Sequence, residues 1–208
     1  SGGNLYAGTI NKGVYVSSDN GYSWTQIALN GMTVYGLGAS GNNVYAGTWY
    51  RGIYISSNSG ENWYQTALSS KYIYSLANSG NNVYAGSEHG YRSSNSGTSW
   101  LTALYYRPFF SYAANGSTVF GGTDSGVFRS TNNGANWANI SPGLTNLGIS
   151  AVKSNNSNLY VGTYTYNMWS PSSIRVFVST DDGTNWKSCE YFTQSAISSF
   201  IIIGTNIF

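Results

Sequence analysis

Two acidic residues outside the repeated turns of this chain could do hydrolytic chemistry. A glycoside hydrolase of the common type uses two carboxylates that flank the scissile bond. Glu88 and Asp124 are the most plausible pair, and Arg51 and Arg107 lie in loops predicted to share a face with them. Four of the seven acids are set aside because they lie inside a repeated turn: Asp19, Glu61, Asp181 and Asp182. We favour the simpler interpretation that Glu88 and Asp124 are solvated or locally bonded loop acids.

Other catalytic chemistries find less support in the sequence. His89 is the only histidine and Cys189 is the only cysteine, and they lie far apart in the chain. A zinc site needs three or four clustered ligands, so we predict no metal and no cofactor. The sequence contains no Gly-x-Ser-x-Gly elbow for a serine nucleophile. His89 is therefore interpreted as a loop residue with a local role.

Aromatic loop residues suggest a different kind of chemistry, which is recognition. Tyr and Trp present rigid amphipathic surfaces, and their faces stack on the C–H faces of sugars. We predict a ligand-binding surface that also includes Arg51, Glu88, His89, Arg107 and Asp124. Its aromatic members are Trp49, Tyr50, Tyr105, Tyr106, Tyr164, Tyr166 and Trp169. The alternative role for each ring is packing between neighbouring loops.

Composition excludes several classes of partner. Charged residues make up only 8% of the 208 residues, against about 25% in an average soluble protein. The net charge of +2 and the absence of a Lys/Arg cluster argue against nucleic acid. Apolar runs are too short to span a bilayer, so no membrane insertion is expected. Aromatic residues reach 16% and recur regularly, which is unlike a disordered chain.

The element that positions these loops is a repeated turn, which we call the tryptophan box. It reads Ser-x-Asp/Asn-x-Gly-x-x-Trp and occurs at residues 17–24, 56–63, 93–100, 130–137 and 179–186. Its core residues are Asp19, Gly21 and Trp24; Asn58, Gly60 and Trp63; Asn95, Gly97 and Trp100; Asn132, Gly134 and Trp137; and Asp181, Gly183 and Trp186. The tryptophans are separated by 39, 37, 37 and 49 residues (24 to 63, 100, 137 and 186). A regular period of this length indicates a repeat architecture.

One repeat contains four short strand patterns. In the second repeat they are 33–38, 43–48, 52–56 and 63–68, and they alternate apolar with polar or small residues. Four antiparallel strands in about 37 residues are typical of one propeller blade. We therefore predict an all-β, five-bladed β-propeller in a single domain over residues 1–208.

The tryptophan box has a predicted structural role in each blade. The Asp or Asn side chain should accept hydrogen bonds from backbone N–H groups two residues on, as in an Asx turn. The glycine supplies a positive φ. The tryptophan should be buried as an anchor. We predict that the box residues bond backbone and take no part in ligand binding.

The boxes resemble the Asp-box (BNR) repeats of sialidase-like β-propellers. The flanking sequences 43–48 and 13–18 look like those of secreted bacterial propellers. The resemblance covers the whole chain and implies the fold. A sialidase-like hydrolase would also have an arginine cluster and a Tyr-Arg-Ile-Pro type motif, of which Tyr106-Arg107-Pro108 is only a faint echo.

The chain ends suggest how the first blade is completed. Residues 4–9 match a second strand and residues 197–202 match a first strand, so together they could close one mixed blade. Residues 204–208 nevertheless match the start of another second strand. The alternative is that the chain is a fragment of a larger propeller.

In an antiparallel blade the loops alternate between two faces. The loops after second strands and after fourth strands share a face opposite the tryptophan boxes, and they carry the candidate residues. We therefore expect a non-enzymatic, extracellular or cell-surface module that binds a glycan or a protein there. The alternatives are a sialidase-like glycoside hydrolase and a subunit of a surface assembly, in which self-association would occur.

Overall fold

The computed structural model describes residues 3–105, 107–145, 147–164, 174–192, 197–203 and 206–207. Strands are the regular secondary structure of these residues. Contacts divide the chain into two compact units, residues 1–103 and 104–208. The prediction of a single domain remains a prediction.

The first unit contains three consecutive antiparallel sheets, and the last of them ends at the unit boundary. The first sheet has three strands, β1 (Leu5–Thr9), β2 (Gly13–Ser17) and β3 (Thr25–Ala28). The second has four: β4 (Val34–Ser40), β5 (Asn43–Thr48), β6 (Gly52–Ser56) and β7 (Tyr64–Gln65). The third also has four: β8 (Ser75–Ser79), β9 (Asn82–Gly86), β10 (Gly90–Ser93) and β11 (Leu101–Leu104).

The second unit contains two further four-stranded sheets and a short hairpin. The fourth sheet is β12 (Phe109–Asn115), β13 (Thr118–Thr123), β14 (Gly126–Ser130) and β15 (Ala138–Asn139). The fifth is β16 (Ile149–Asn155), β17 (Asn158–Thr163), β18 (Ile174–Ser179) and β19 (Lys187–Phe192). The hairpin is β20 (Ile202–Ile203) and β21 (Asn206–Ile207). Each of the five sheets is an up-and-down meander with one tryptophan box, and the blade count of five is confirmed.

The predicted mixed first blade is not among the sheets of the described residues. β1, β2 and β3 form a sheet of three strands, while β20 pairs with β21 through Ile202 opposite Ile207. The physical reason is local: β20 and β21 are close in sequence and pair with each other, with Ile203 opposite Asn206. The first and second strands of the other repeats pair in the same local way, for example Ser79 opposite Asn82.

The tryptophan box is a closed hydrogen-bonded turn. In the second repeat, Ser56 Oγ accepts from the N–H of Gly60 at 2.8 Å and donates to Asn58 Oδ1 at 2.9 Å. Asn58 Oδ1 also accepts from the N–H of Asn62 at 2.9 Å. The N–H two residues on from Asn58 is that of Gly60, and it donates to the Ser56 hydroxyl instead of the Asn58 side chain; Asn58 N–H donates to the same hydroxyl at 3.3 Å. The predicted Asx turn is therefore corrected: the Asx oxygen reaches four residues on, and the buried serine fills the two-residue role.

The same bonds recur in all five boxes, and all five glycines have φ between 76° and 96°. A Cβ at Gly60 would lie 2.6 Å from Ile27 Cδ1 in the preceding sheet, which would have to shift, and the φ of +96° itself favours glycine. The expectation that the Asp and Asn residues bond the backbone is met.

The expectation of buried tryptophans is wrong. Trp24 is 41% exposed, and the other four box tryptophans are half-buried. In three boxes the indole lies over its own turn, because Nε1 of Trp24, Trp63 and Trp137 donates to the carbonyl oxygen of the box glycine at 2.9–3.1 Å. Trp186 Nε1 donates to Ile140 O instead. Trp63 packs against the cluster of Val14, Val34 and Ala46 and remains half-buried.

The fourth strand is also shorter than predicted in the second repeat. β7 covers only Tyr64 and Gln65, because Trp63 belongs to the turn. Thr66 N–H still bonds Ile53 O at 2.9 Å, so the chain continues beside β6 without regular pairing. This irregular segment leads into the loop that carries Tyr72.

Candidate functional site

The loop Trp49–Arg51 between β5 and β6 is fixed by its surroundings. At its start, the buried Thr48 hydroxyl donates to Gly52 O at 2.7 Å and clamps the two ends together. The Trp49 N–H bonds Thr33 O at 3.0 Å, and Gln65 Nε2 donates to Arg51 O at 2.6 Å. These bonds tie the loop to the strands and loops on either side. The side chains of Trp49, Tyr50 and Arg51 are therefore displayed from a rigid base.

Four aromatic rings meet at this loop. Trp49 contacts Tyr35 with ring centroids 5.5 Å apart, and it contacts Tyr72 at 4.7 Å. Tyr72 also contacts Tyr50 at 5.1 Å. Trp49 is 52% exposed and Tyr50 is 57% exposed, so large aromatic surfaces remain in water. Clustered exposed aromatic side chains of this size are typical of a binding surface.

Three of these rings, Trp49, Tyr50 and Tyr72, border a cleft of about 350 Å³ in the first unit. We call it the aromatic cleft. Its lining residues are Asn11, Gly31, Met32, Thr33, Trp49, Tyr50, Arg51 and Tyr72. The cleft lies on the loops that follow second and fourth strands, which is the loop face predicted to carry function.

Polar groups stand beside the rings in the aromatic cleft. The Thr33 hydroxyl donates to Asn11 Oδ1 at 2.9 Å and accepts from the Asn11 N–H at 3.1 Å. This exchange orients the Asn11 amide at the edge of the cleft. Arg51 is the charged residue of the lining. The cleft thus combines aromatic faces with neutral and cationic hydrogen-bond donors.

Tyr50 has a strained backbone. Its φ is +65°, in the left-handed region that bulky side chains avoid. The corresponding residue of the first repeat is Asn11, with φ of +59°, and asparagine tolerates this conformation. Leu29 also has a positive φ, but it packs against the core of Val14, Val34 and Ala46. Tyr50 is mostly exposed and has no such packing role, which indicates that its ring serves another purpose.

Glu88 and His89 lie on the loop between β9 and β10, outside the lining of the aromatic cleft. The carboxylate of Glu88 accepts a hydrogen bond from the Lys71 ammonium, and this contact raises the pKa of Lys71. The ring of His89 lies 6.1 Å from that of Tyr91. Glu88 is therefore a locally paired loop acid in this structure.

Asp124 and Arg107 meet in the second unit through Ser125. Arg107 donates to the Ser125 hydroxyl, which in turn donates to Asp124 Oδ1 at 2.8 Å. Tyr105 is exposed, and Tyr164 packs edge to face on Phe110 at 5.7 Å. Tyr106, Tyr166 and Trp169 lie outside the described residues. The proposed catalytic roles of Glu88 and Asp124 remain predictions.

In the parts of the chain that the structure describes, no group of three or more His, Cys, Asp or Glu side chains could hold a metal ion. Within the same parts, there is no helix of the length and hydrophobicity needed to cross a membrane.

Solved structures share this arrangement of sheets. The extracellular domain of BT4673 from B. thetaiotaomicron has a TM-score of 0.73 and 17% identity, covering 98% of this chain and 29% of its own. An ancestral GH74 enzyme has a TM-score of 0.71 and 23% identity, covering 90% and 29%. YCF48 bound to a D1 peptide has a TM-score of 0.67 and 13% identity, covering 93% and 66%. The GH74 and BT4673 neighbours are β-propellers, and the sequential antiparallel sheets described above fit that fold.

The fold is a β-propeller. No protein-family model matches the chain, and no curated protein sequence matches it. The chain spans less than two thirds of the length of each neighbour named above. At identities of 23% or less, the likeness establishes the propeller fold and leaves the activity to be argued from the site.

The structure brings three predicted site residues of the propeller into one cleft: Trp49, Tyr50 and Arg51. Sequence reasoning missed Tyr35, Tyr72, Asn11 and Thr33. Tyr72 follows Lys71 in a loop already assigned to the functional face, and that position was the available signal. Tyr35 looked like an ordinary strand residue, and only the contact with Trp49 reveals its role.

Proposed function

We propose that this propeller is a non-enzymatic, extracellular glycan-binding module and that the aromatic cleft is its binding site. The observation that carries the proposal is the ring cluster of the exposed Trp49 and Tyr50 with the half-buried Tyr72, beside polar donors. Sugars present a C–H face that stacks on aromatic rings and a rim of hydroxyls that bonds amides and guanidinium groups. The cleft offers both kinds of contact within one ligand's reach.

The tryptophan boxes fit this proposal as structural parts. We assign them as Asp-boxes of the sialidase-like superfamily, on the strength of the repeated Ser-Asx-Gly-Trp hydrogen bonding. Their polar groups are used by their own turns. The binding surface then lies on the loops that the boxes leave free.

The structural neighbours support a carbohydrate-related role. One of those named above is a GH74 enzyme, and another is an extracellular domain. These descriptions concern those proteins. They motivate the inclusion of plant and bacterial polysaccharides among the ligands tested.

A broad glycan array tests the proposal. Wild-type protein should bind a defined set of glycans, and Trp49→Ala should lose the signal. The matched control is Tyr22→Ala, which removes a 91% exposed tyrosine from the tryptophan box of the first repeat. A wild-type protein that binds no glycan on the array would rule the proposal out.

The second candidate is a glycoside hydrolase, supported by the GH74 likeness. It predicts turnover of a glycoside that Glu88→Gln or Asp124→Asn abolishes. Absence of turnover on a broad panel would reject it. Exposed aromatic loops would also suit contact with a protein partner or with a second copy of this chain. Analytical ultracentrifugation of the purified chain tests self-association, and a strictly monomeric profile counts against a role in an assembly.

A further inference from the structure

The aromatic rings of the cleft are not coplanar, and this relationship narrows the class of ligand. The planes of Trp49 and Tyr72 are inclined by 74°, and those of Tyr50 and Tyr72 by 49°. Tyr35, which contacts Trp49 but does not line the cleft, is inclined to Trp49 by 58°. We infer that the aromatic cleft takes a single soluble glycan chain whose successive sugar rings are turned relative to one another. It does not bind the flat face of a crystalline polysaccharide. This inference rests on the proposed glycan-binding function.

The argument begins with the geometry of stacking. A sugar stacks when its C–H face lies parallel to an aromatic ring, so the inclination between two rings fixes the inclination between the two sugars they hold. On a crystalline surface the sugar rings lie in one plane. A binder of such a surface needs coplanar rings, whereas rings inclined by 49–74° could place only one ring flat on it. A free chain can rotate about its glycosidic bonds to follow inclined rings.

The inclination is held by contacts and by the backbone. Tyr72 lies between Trp49 and Tyr50, at 4.7 Å from one and 5.1 Å from the other, and edge-to-face contact is a preferred aromatic geometry. The loop of Trp49 is tied to Thr33 O, and the positive φ of Tyr50 sets the direction of its side chain. The rings therefore keep their angles when a ligand approaches.

The polar groups of the cleft point to the same ligand. Asn11, Thr33 and Arg51 stand beside the rings, where they reach the hydroxyl rim of a sugar. In a crystalline polysaccharide many of these hydroxyls are bonded to neighbouring chains. In a dissolved chain they are available to the protein. A concave cleft of about 350 Å³ also encloses a ligand segment, which a flat surface cannot enter.

The test compares binding to the same sugars in soluble form and in crystalline form. Wild-type protein is titrated with soluble cello-oligosaccharides and chito-oligosaccharides, together with the soluble glycans that the array identifies. The same protein is mixed with microcrystalline cellulose and crystalline chitin, and depletion from the supernatant is measured. We expect saturable binding of a soluble glycan and background retention on both crystals. Affinity for the soluble glycan should fall at least about tenfold in Tyr50→Ala and stay unchanged in Tyr22→Ala.

Each possible result either supports or overturns the inference that the cleft binds a soluble glycan chain. Binding of a soluble glycan without retention on crystals supports it. Retention on either crystal that Trp49→Ala abolishes overturns the inference and leaves the proposed glycan-binding function standing. Failure to bind any soluble or crystalline glycan overturns both.

Discussion

Trp49 and Tyr72 meet edge to face, with ring centroids 4.7 Å apart and planes inclined by 74°. The two residues belong to different repeats, and Tyr72 is the ring that joins Trp49 to Tyr50. The aromatic cleft is thus assembled by a contact between loops of neighbouring blades in the first unit. The predictions below test the cleft and the turns that support it.

Removal of the Tyr72 ring should weaken glycan binding even though the exposed rings of Trp49 and Tyr50 remain in place. Tyr72→Ala takes away the support of both Trp49 and Tyr50, and we expect about a tenfold or greater loss of glycan affinity, equal to about 1.4 kcal/mol. Tyr72→Phe keeps the ring and should retain most of the affinity. Isothermal titration measures both, and equal losses in the two variants would show that the hydroxyl matters more than the ring.

Substitution of Tyr50 by asparagine should change stability and binding in opposite directions. Asparagine occupies the corresponding position, Asn11, at φ of +59°, so Tyr50→Asn relieves backbone strain. We expect the free energy of unfolding to rise by up to about 1 kcal/mol while glycan affinity falls. Urea denaturation gives the first quantity and titration gives the second. A decrease in stability would mean that the contact between Tyr50 and Tyr72 outweighs the strain.

The serine of a tryptophan box should matter more for stability than its size suggests. Ser56 is buried, and its hydroxyl accepts the N–H groups of Gly60 and Asn58. Ser56→Ala leaves both donors without this partner, and we expect a loss of about 1–3 kcal/mol in unfolding free energy. Ser57→Ala, at an exposed position in the same turn, is the control and should change stability by less than about 0.5 kcal/mol. Similar effects of the two substitutions would contradict the assigned turn bonding.

The two aspartate boxes should make the fold sensitive to acid. Hydrogen bonds from the Ser23 side chain and backbone lower the pKa of Asp19 from 3.8 to about 2. Bonds from the Asn185 backbone and side chain lower the pKa of Asp181 to about 2 in the same way. A carboxylate with a lowered folded-state pKa stabilises the fold above its unfolded pKa. That stabilisation is lost as the pH falls from about 4 toward 2.

The matched variant for this prediction exists within the chain, because Asn58, Asn95 and Asn132 already fill the same position in other boxes. The double variant Asp19→Asn, Asp181→Asn should fold and should lose less stability than wild type between pH 4 and pH 2. Thermal unfolding at a series of pH values measures this difference. An identical pH dependence in both proteins would show that these two carboxylates do not set the acid sensitivity.

The regular parts of the fold could be predicted because each is encoded locally. The box residues Ser56, Asn58 and Gly60 bond one another within five positions, so their spacing alone indicates the turn. Two strands of the second repeat were predicted to the residue, Asn43–Thr48 and Gly52–Ser56. The fourth strand was overestimated because Trp63, which looks like a strand residue, completes the turn.

The sequence predicted only those residues of the aromatic cleft that belong to a single loop. Trp49, Tyr50 and Arg51 are adjacent in sequence and stood out as an aromatic and cationic loop. Tyr72 lies in a loop of the predicted functional face but was not singled out, and it joins the cleft through its tertiary contact with Trp49. Tyr35 contacts Trp49 from a strand, and no local pattern marks it. The burial of the tryptophans was mispredicted for a related reason: their surroundings depend on how each indole lies across its turn and on the neighbouring sheet.

The most direct test of glycan binding at the aromatic cleft is a titration of Trp49→Ala beside wild type and Tyr22→Ala, with the strongest glycan from the array. Intrinsic fluorescence or calorimetry reports binding, and circular dichroism confirms that all three proteins are folded. We predict saturable binding by wild type and Tyr22→Ala, and at least about a tenfold loss of affinity in Trp49→Ala. Equal affinity of the three proteins would contradict the assignment of the aromatic cleft as the binding site.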